Sequence, residues 1–459
     1  MTKAYPLSLH IFRRDFRLYD NTALIESLKS SEMVIPCFIF DKRQVENNGY
    51  KSDNGIQFMA HSLQELHLEL NKKNSKLYLF YGIAEDIVAQ LINKLSIRAV
   101  FTNRDYTPFS QERDGKIEKI CRESNVDFYS YADALLHEPE EVIKSNNQPY
   151  TIFTHFFKKS LELPVKLPQN NPHNNYYQKS ISLEDRPILK KLLKINNPNI
   201  FLKGGRKEGL SLLNKLKRLG DYQTIRNFPS LDGTTKLSAH NKFGTLSIRE
   251  IYAEIVKNFN KGHTLINELY WRDFFTHIAF HYPRVFSESF HKKYNAIQWS
   301  ESKKHFRAWC EGKTGFPIVD AGMRQLNETG YMHNRVRMIV ASFLTKDLHI
   351  HWRWGEKYFA QKLVDYDPAI NNGNWQWAAS TGCDAQPYFR IFNPWLQQQK
   401  FDPDCIYIKK WVPELAAMTP QVIHSLNTAK VNLITDYPKP IIDHGIESQK
   451  AKMMYKYVK

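Results

Sequence analysis

The stretch around which the chain is organised lies near its C-terminal end and reads Asp365-Tyr366-Asp367-Pro368-Ala369-Ile370-Asn371-Asn372-Gly373-Asn374-Trp375-Gln376-Trp377. It holds two carboxylates, three Asn and two Trp within thirteen residues, and no Lys or Arg. Side chains two residues apart in a strand or an irregular turn point to opposite sides. We therefore expect one indole to face inward and the other to face a cavity. The alternative is an aromatic turn that only fills the core.

The length and composition predict a multidomain globular protein. A chain of 459 residues is too long for one ordinary core, so we expect two or three domains. The N-terminus carries no apolar signal segment and no long apolar run follows, which predicts a cytoplasmic protein without a membrane span. The five widely spread cysteines include no CxxC pair, which favours a reducing compartment and no zinc site.

The charge balance points to an anionic partner. Sixty-four Lys and Arg against forty-seven Asp and Glu give a net charge of +17. An excess of this size attracts a polyanion and accelerates the encounter with it. Nucleic acid is the favoured partner, and an anionic membrane surface is the weaker alternative.

The N-terminal third shows the rhythm of a parallel sheet. Apolar runs alternate there with helical patterns, which predicts βαβ units with helices on both faces. The predicted strands are Leu7–Phe12, Val34–Phe40, Leu77–Tyr81, Ala99–Thr102 and Phe128–Tyr131. No GxGxxG follows the first strand; Phe12-Arg13-Arg14-Asp15-Phe16-Arg17 stands there instead. The sequence thus predicts a doubly wound α/β domain without the dinucleotide fingerprint.

The rest of the chain reads as helical after a Pro- and Asn-rich connection, Leu163–Asn199. We predict an α/β domain over 1–135, a linker over 136–205 and an all-helical domain over 206–459. Lys190–Arg218 carries nine basic residues and one acid, which form either a solvated helix face or a surface that contacts DNA. All nine Trp lie between Trp271 and Trp411, which indicates a flat π-cofactor or stacked bases.

Hydroxyls and a lysine precede one of these helical segments. In Asp232–Ser238 they suit a phosphate or pyrophosphate, with Lys236 adding charge. An ordinary helix N-cap is the alternative.

Leu265–Tyr282 is predicted as one helix, and four of its side chains share a face by i, i+3, i+4, i+7 spacing: Glu268, Trp271, Arg272 and Phe275. An acid on an apolar face is costly unless it is paired or used. The alternative is an internal ion pair between Glu268 and Arg272.

Met332–Leu344 is predicted as a second helix, with Asn334 and Met338 on one face. An amide can read the edge of a base, and a thioether is soft and polarisable. The alternative is a core stripe with one capped polar residue.

Two apparent motifs carry no function. Gly312-Lys313-Thr314-Gly315 contains GKT, but Arg307 stands where a P-loop requires its first glycine. His349 and His351 alternate without a third ligand at metal spacing, so we expect no metal site.

Together these stretches resemble the photolyase/cryptochrome flavoprotein family from Phe12 to about Leu415. The motifs that carry the resemblance are Phe12–Leu18, Asn267–Phe275, Gly315–Ala321, Tyr331–Arg335, Asn371–Trp377 and Pro387–Pro394. The resemblance implies an α/β antenna domain followed by a helical domain that holds FAD. It also implies light-driven repair of cyclobutane pyrimidine dimers in DNA by a monomeric enzyme, with the lesion flipped out of the duplex.

The family's functional residues can be placed on this sequence. The resemblance implies FAD contacts at Tyr222, Thr234, Thr235, Lys236, Leu237, Ser238, Arg337, Asp365, Tyr366, Asp367 and Asn371. It implies a catalytic lesion pocket at Glu268, Trp271, Asn334, Met338 and Trp377. It implies an electron relay at Trp299, Trp352 and Trp375, and DNA contacts at Arg226, Glu268, Trp271, Arg272, Phe275, Asn334, Arg335, Gln397 and Lys400.

Two positions favour the class I enzymes that repair cyclobutane dimers. Relatives that repair (6-4) photoproducts carry His where this chain has Asn334 and Met338. A (6-4) photolyase and a light-sensing cryptochrome are the alternatives, and a non-catalytic nucleic-acid binder is a third. The segment Asn103–Phe109 resembles the deazaflavin type of antenna site more than the folate type. The identity of the antenna chromophore stays open.

Overall fold

The computed structural model describes residues 3–46, 48–427 and 436–458. They form a five-stranded sheet with its covering helices, followed by a long succession of helices. This architecture confirms the predicted fold class, an α/β domain followed by an all-helical one.

The sheet is parallel throughout and has the strand order β3-β2-β1-β4-β5. Its strands are β1 Tyr5–Phe12, β2 Ser31–Asp41, β3 Tyr78–Gly82, β4 Ala99–Asn103 and β5 Asp127–Tyr131. Each predicted strand falls on one of them. The order reverses between β1 and β4, which opens a crevice at the carboxyl ends of those strands.

Helices cover both faces of this sheet, as the doubly wound prediction requires. They are α1 Thr22–Ser30, α2 Lys42–Val45, α3 Asp53–Asn71, α4 Ala84–Leu95 and α5 Pro108–Glu123. One face packs Leu9 and Ile35 against α4 and α5, and the other packs Phe12 and Phe40 against α1 and α3. The two central strands are buried on both sides, and this explains their unbroken apolar runs.

The predicted linker contains two helices, α6 Phe153–Glu162 and α7 Arg186–Leu192. Phe156 of α6 packs against Phe274 of the helical half, with ring centroids 5.4 Å apart. Ile188 and Leu189 of α7 pack with the core of the sheet domain. The connection therefore packs against both domains. The predicted domain boundaries at residues 135 and 205 stay a prediction.

The helical half builds two cores that meet at the functional site. Its helices are α8 Arg206–Leu213, α9 Tyr222–Ile225, α10 Ser238–Phe243, α11 Ile248–Asn258, α12 Thr264–His281, α13 Lys303–Glu311, α14 Pro317–Thr329, α15 Asn334–Ser342, α16 Trp352–Lys362, α17 Pro368–Ala378, α18 Pro394–Phe401, α19 Ile406–Trp411, α20 Pro420–His424 and α21 His444–Lys456. One core centres on α11 and α12, and the other on α14 to α17.

Buried ion pairs join the sheet to the helices. Arg249 of α11 donates to Asp20 at 2.9 Å and to Asp133 at 2.8 Å, and Arg17 donates to Asp133 at 2.6 Å. Arg14, just after β1, pairs with Asp367 at the start of α17. The sheet domain therefore helps to fix the stretch that opened the sequence.

Within the residues that the structure describes, no helix is both long and apolar enough to cross a bilayer.

Candidate functional site

Residues Pro368–Trp377 of the opening stretch belong to helix α17 and Asp365–Asp367 precede it, so the strand or irregular turn expected for the two tryptophans is wrong. Asp367 caps α17 by accepting hydrogen bonds from the backbone N–H groups of Ala369 and Ile370, and Pro368 occupies its first position. Residues two apart on a helix still lie about 200° apart around its axis. Trp375 is consequently buried and Trp377 is partly exposed, as opposite sides require.

A cavity of about 490 Å³ lies between α9, α12, α15 and α17. Of the predicted site residues, those lining it are Tyr222, Arg226, Thr234, Thr235, Lys236, Leu237, Ser238, Glu268, Trp271, Arg272, Phe275, Asn334, Arg335, Arg337, Met338, Asp365, Tyr366, Asp367, Asn371, Trp375 and Trp377. The predicted residues outside its lining are Gln397, Lys400, Trp299 and Trp352. The fold thus gathers segments almost 160 residues apart around one space.

The inner end of the cavity carries an unsatisfied acceptor. Arg337 donates through Nη2 to Asp365 Oδ2 at 2.9 Å and through Nε to the Met332 carbonyl at 2.8 Å. The other oxygen, Asp365 Oδ1, is buried without a partner, and so is Asn241 Oδ1. Buried polar atoms without partners are costly, so this end is built to receive donors from a bound group.

The same end brings two cationic side chains, Arg14 and Lys242, close to Asp367. Burial alone would raise the pKa of Asp367, but Arg14 and Lys242 hold that pKa below its usual value. Burial and the neighbouring Arg14 lower the pKa of the Lys242 ammonium to about 8. Arg14 also pairs with Asp105 at 3.2 Å and does not line the cavity, so Lys242 is the cation of this group that can meet the phosphates of a nucleotide.

The predicted phosphate segment precedes α10 without capping it through a side chain. Leu237 occupies the N-cap position, so the ordinary side-chain cap does not apply. The Leu237 N–H donates to Thr235 Oγ1 at 3.3 Å, and Lys236 pairs with Asp232. The hydroxyls of this segment therefore line the cavity.

Sequence reasoning missed Asn241 and Lys242, which also line the cavity. They follow Ser238 by three and four residues and so lie on the same face of α10. That spacing was the signal that could have identified them.

An ion pair lies at the mouth of the cavity. Arg226 donates through Nη1 to Glu268 Oε1, and the predicted internal alternative with Arg272 does not form. Arg272 instead donates to the Ala134 carbonyl at 2.6 Å. Burial raises the pKa of Glu268 above its usual value, and the opposing effect of Arg226 is smaller.

Aromatic and soft side chains surround this carboxyl group. The Trp271 ring stacks on Phe153 of α6, with centroids 3.6 Å apart and planes at 6°. Asn334 Nδ2 lies 3.9 Å from Met338 Sδ on one face of α15. These side chains make a flat, partly apolar recess with an amide and a carboxyl group at its edge.

The outer rim continues to α18. Arg335 donates to Asn227 Oδ1 at 2.7 Å, and its guanidinium lies 4.5 Å from the centroid of the Phe401 ring. Lys400 is exposed beside Phe401, and Gln397 lies one turn earlier. The two predicted contacts outside the cavity lining therefore belong to its rim.

Of the three predicted relay tryptophans, only Trp375 lines the cavity. Trp375 and Trp352 are buried, whereas Trp299 is partly exposed. His351, which the sequence suggested only as a discounted metal ligand, lies between the outer two, with its ring centroid 5.2 Å from Trp299 and 5.6 Å from Trp352. Among the described residues, no group of three or more His, Cys, Asp or Glu is placed to hold a metal.

Comparison with known proteins matches both halves of the chain. The sequence model of DNA photolyase matches residues 8–173, and that of the FAD binding domain of DNA photolyase matches residues 265–457. The deoxyribodipyrimidine photo-lyase of Vibrio cholerae is 36% identical, over 98% of this chain and 99% of that protein.

Three solved structures with high similarity are two photolyases and one cryptochrome. The archaeal photolyase from Sulfolobus tokodaii, crystallised with two FAD molecules, is 45% identical, with a TM-score of 0.89 over 98% of this chain and all of that one. A class III photolyase from Agrobacterium tumefaciens is 34% identical, with a TM-score of 0.92 over 100% and 98% of the two chains. The Synechocystis cryptochrome is 30% identical, with a TM-score of 0.90 over 99% and 100%.

The two domain matches follow one another in the order that the fold displays, and the similarity extends over nearly the whole length of each relative. The cavity lies in the helical half, between segments of the matched FAD-binding domain and the helices just before it. The chain therefore belongs to the photolyase/cryptochrome family.

Proposed function

We propose that this chain is a light-driven DNA-repair enzyme that splits cyclobutane pyrimidine dimers. The observation that carries the proposal is one cavity that has Asp365, Asn241 and Lys242 at its inner end and Glu268, Trp271 and Asn334 at its mouth. An everted lesion would enter at that mouth.

The inner residues fit FAD. Asp365 Oδ1 and Asn241 Oδ1 are acceptors without partners, and Lys242 adds positive charge beside Thr235 and Ser238. FAD, when bound there in its reduced form, supplies the light-excitable electron donor. Asn371 donates through Nδ2 to the Glu356 carbonyl at 3.0 Å, so its amide oxygen is left to face the cavity.

The chain's own residues prepare the lesion for an added electron. A pyrimidine carbonyl that gains negative charge is stabilised by a hydrogen-bond donor, and protonated Glu268 supplies one. The Asn334 amide can hold a second polar edge of the lesion, while the Trp271 and Trp377 indoles offer flat apolar contacts. These side chains also exclude water, which strengthens each hydrogen bond to the lesion.

The proposal also includes a route for electrons between the surface and the cavity. Its oxidisable rings are Trp375, Trp352 and Trp299. Trp375 and Trp352 are both almost fully buried and Trp299 is partly exposed, so Trp299 is the most accessible of the three to a reductant in solution. His351 fills the space between the outer two rings.

Dimer specificity is favoured by Asn334 and Met338, neither of which can relay a proton as an imidazole does. The (6-4) photolyase and cryptochrome alternatives remain outcomes of the assay below. Dimer-containing DNA as the substrate and a monomeric state are parts of the same proposal.

The deciding assay exposes thymine-dimer and (6-4) duplexes to blue light with the reduced, FAD-loaded protein. We expect loss of cyclobutane dimers only. Because the acid form of Glu268 is the donor, repair should fall as pH rises through the pKa of Glu268 in the complex. Glu268→Ala should lower repair by about 10-fold or more, while Glu268→Gln keeps a donor and loses the pH dependence. Dimers that persist under light contradict the proposal.

We also propose a second chromophore in the sheet domain. Arg13 and Arg113 both contact Asp114, and each leaves a buried Nη2 without a partner. Two such donors, Arg13 just beyond β1 and Arg113 on α5, suit an anionic chromophore, of the deazaflavin or folate type or a flavin as in the Sulfolobus tokodaii protein. An absorption spectrum of the purified protein distinguishes these groups.

A further inference from the structure

The ion pair at the cavity mouth lies where the proposed substrate must enter. Arg226 and Glu268 are each 37% exposed, so solvent reaches both side chains. Arg226 directly follows the last turn of α9, while Glu268 is on the long helix α12. The pair therefore joins a short element at the rim to the wall of the cavity.

The proposed chemistry needs a proton that this ion pair opposes. A carboxylate that accepts from a guanidinium is in its ionised form, and an ionised carboxylate has no hydrogen to donate. The free protein and the productive complex therefore differ in the protonation of Glu268. They must also differ in the partner of Arg226.

We propose that Arg226 is a positioning residue that exchanges Glu268 for a DNA phosphate when the substrate binds. In the free protein the ion pair with Arg226 favours the anion of Glu268, against the effect of burial. On binding, Arg226 turns to a backbone phosphate, Glu268 takes up one proton from solvent, and the resulting acid donates to the lesion carbonyl. The charges balance because the phosphate replaces the carboxylate as counter-ion. This inference rests on the proposed function.

The surrounding charges favour such an exchange. Burial lowers the pKa of Arg335 on α15, and repulsion from the nearby Arg226 lowers it further. The hydrogen-bond partner of Arg335 is Asn227, which carries no charge. Protonating Glu268 without DNA would leave two guanidiniums at the mouth without a counter-ion. A phosphate removes that cost.

The other titratable neighbours of Glu268 do not compete with Arg226 as its charged partner. Arg272, one turn along α12, is held by the Ala134 carbonyl and by Asp273. Tyr222 of α9 lines the same cavity and is neutral, since burial raises the pKa of its hydroxyl. Once Arg226 has turned away and a base fills the recess, deeper burial favours the acid form of Glu268.

Calorimetry in the dark tests the exchange. FAD-loaded protein is titrated with a short duplex containing one thymine dimer, in buffers of different ionisation enthalpy, between pH 5.5 and 7.5. We expect uptake of about one proton per complex near neutral pH. Glu268→Gln should abolish the uptake. In Arg226→Gln, proton uptake should begin only at a higher pH than in the wild type, because Glu268 is then already protonated before DNA binds. Arg226→Lys should restore the wild-type pH profile of the uptake.

Arg335→Gln is the matched control, since it removes a neighbouring guanidinium that does not pair with Glu268. It should weaken binding and leave the proton uptake unchanged. The exchange is overturned if wild-type protein takes up no proton, if Arg226→Gln keeps the wild-type profile, or if Arg335→Gln loses the uptake. Repair under light is scored separately: dimers cleared without proton uptake refute the exchange alone, whereas dimers left intact refute the proposed function.

Discussion

Asp365 is the residue on which the proposed cofactor site depends most directly. Its Oδ1 is buried without a partner, and its Oδ2 holds Arg337. A charged acceptor of this kind contributes about 1.5–3 kcal/mol, so Asp365→Asn should weaken FAD binding by about 10- to 100-fold. Fluorescence titration of the apoprotein with FAD measures the change. Asp404→Asn, at an exposed aspartate outside the cavity, should leave the affinity as it is; equal affinities for both variants would contradict the assignment.

Single residues also show where the sequence was sufficient and where it was not. Helical spacing placed Glu268, Trp271 and Arg272 on one face, and all three line the cavity. The same spacing offered Arg272 as the partner of Glu268, yet Arg226 takes that position. The reason is tertiary: the Ala134 carbonyl holds Arg272, and no local pattern records a contact across 138 residues.

Among the elements, α17 shows a signal that was present but overlooked. An Asp-Pro pair at Asp367-Pro368 is a strong helix start, because the carboxylate caps the first N–H groups and proline needs none. A strand or an irregular turn also places the two tryptophans on opposite sides, and that expectation passed over the helix start; the Asn, Gly and Trp residues that follow are weak helix formers. These residues are tolerated because α17 packs closely on its neighbours, where Gly373 lets Phe275 approach and Gly355 of α16 makes room for Trp375.

The packing of α16 on α17 predicts the effect of a single methyl group. A Cβ at Gly355 would lie 2.1 Å from Trp375 Cη2 and 2.6 Å from Leu344 Cδ2. Gly355→Ala should therefore destabilise the protein by about 1–3 kcal/mol through overpacking. Gly115→Ala is the control, because Gly115 is in helix α5 with nothing within 4 Å, and there alanine should stabilise by about 0.5–1 kcal/mol. Urea unfolding of both variants measures the two signs, and a neutral Gly355→Ala would refute the close contact.

For the whole molecule, the join between sheet and helices is what sequence patterns could not supply. Periodicity located the strands and the long helices, because one buried face repeats along each of them. The contacts of Asp133 with Arg17 and Arg249 span 116 residues each, and only the folded chain brings them together.

Removing the shared carboxylate of that join should be costly. Asp133→Asn leaves two buried guanidiniums with one charged partner fewer, a change that costs about 3–5 kcal/mol of stability.

The same carboxylate predicts a pH dependence. Burial opposes the charge on Asp133, but Arg17 and Arg249 hold the pKa of Asp133 below its usual value. Its contribution is therefore present above the unfolded pKa and lost as pH falls below about 4, so the variant should show less acid destabilisation than wild type. Urea unfolding at pH 7 and at about pH 3, inside the window where the contribution is being lost, tests both points. Glu123→Gln, which breaks an exposed pair with Lys119, should change stability by less than about 1 kcal/mol.

The net charge of +17 acts at the scale of the whole molecule and makes the DNA interface testable by salt alone. Each phosphate neutralised by a cationic side chain releases counter-ions and adds about 0.9 to the slope of log affinity against log salt.

Lys400 is exposed on the rim of the cavity beside Phe401, and the Arg335 guanidinium packs on the Phe401 ring. Lys400 is therefore placed to contact a backbone phosphate. Lys400→Gln should weaken binding to damaged and undamaged duplexes alike and reduce the slope by about one unit. Lys119→Gln removes the same charge from α5, in the sheet domain, and should keep the wild-type slope. Equal slopes in the two variants would mean that the positive charge attracts DNA only from a distance, and that the rim of the cavity is not where the duplex is held.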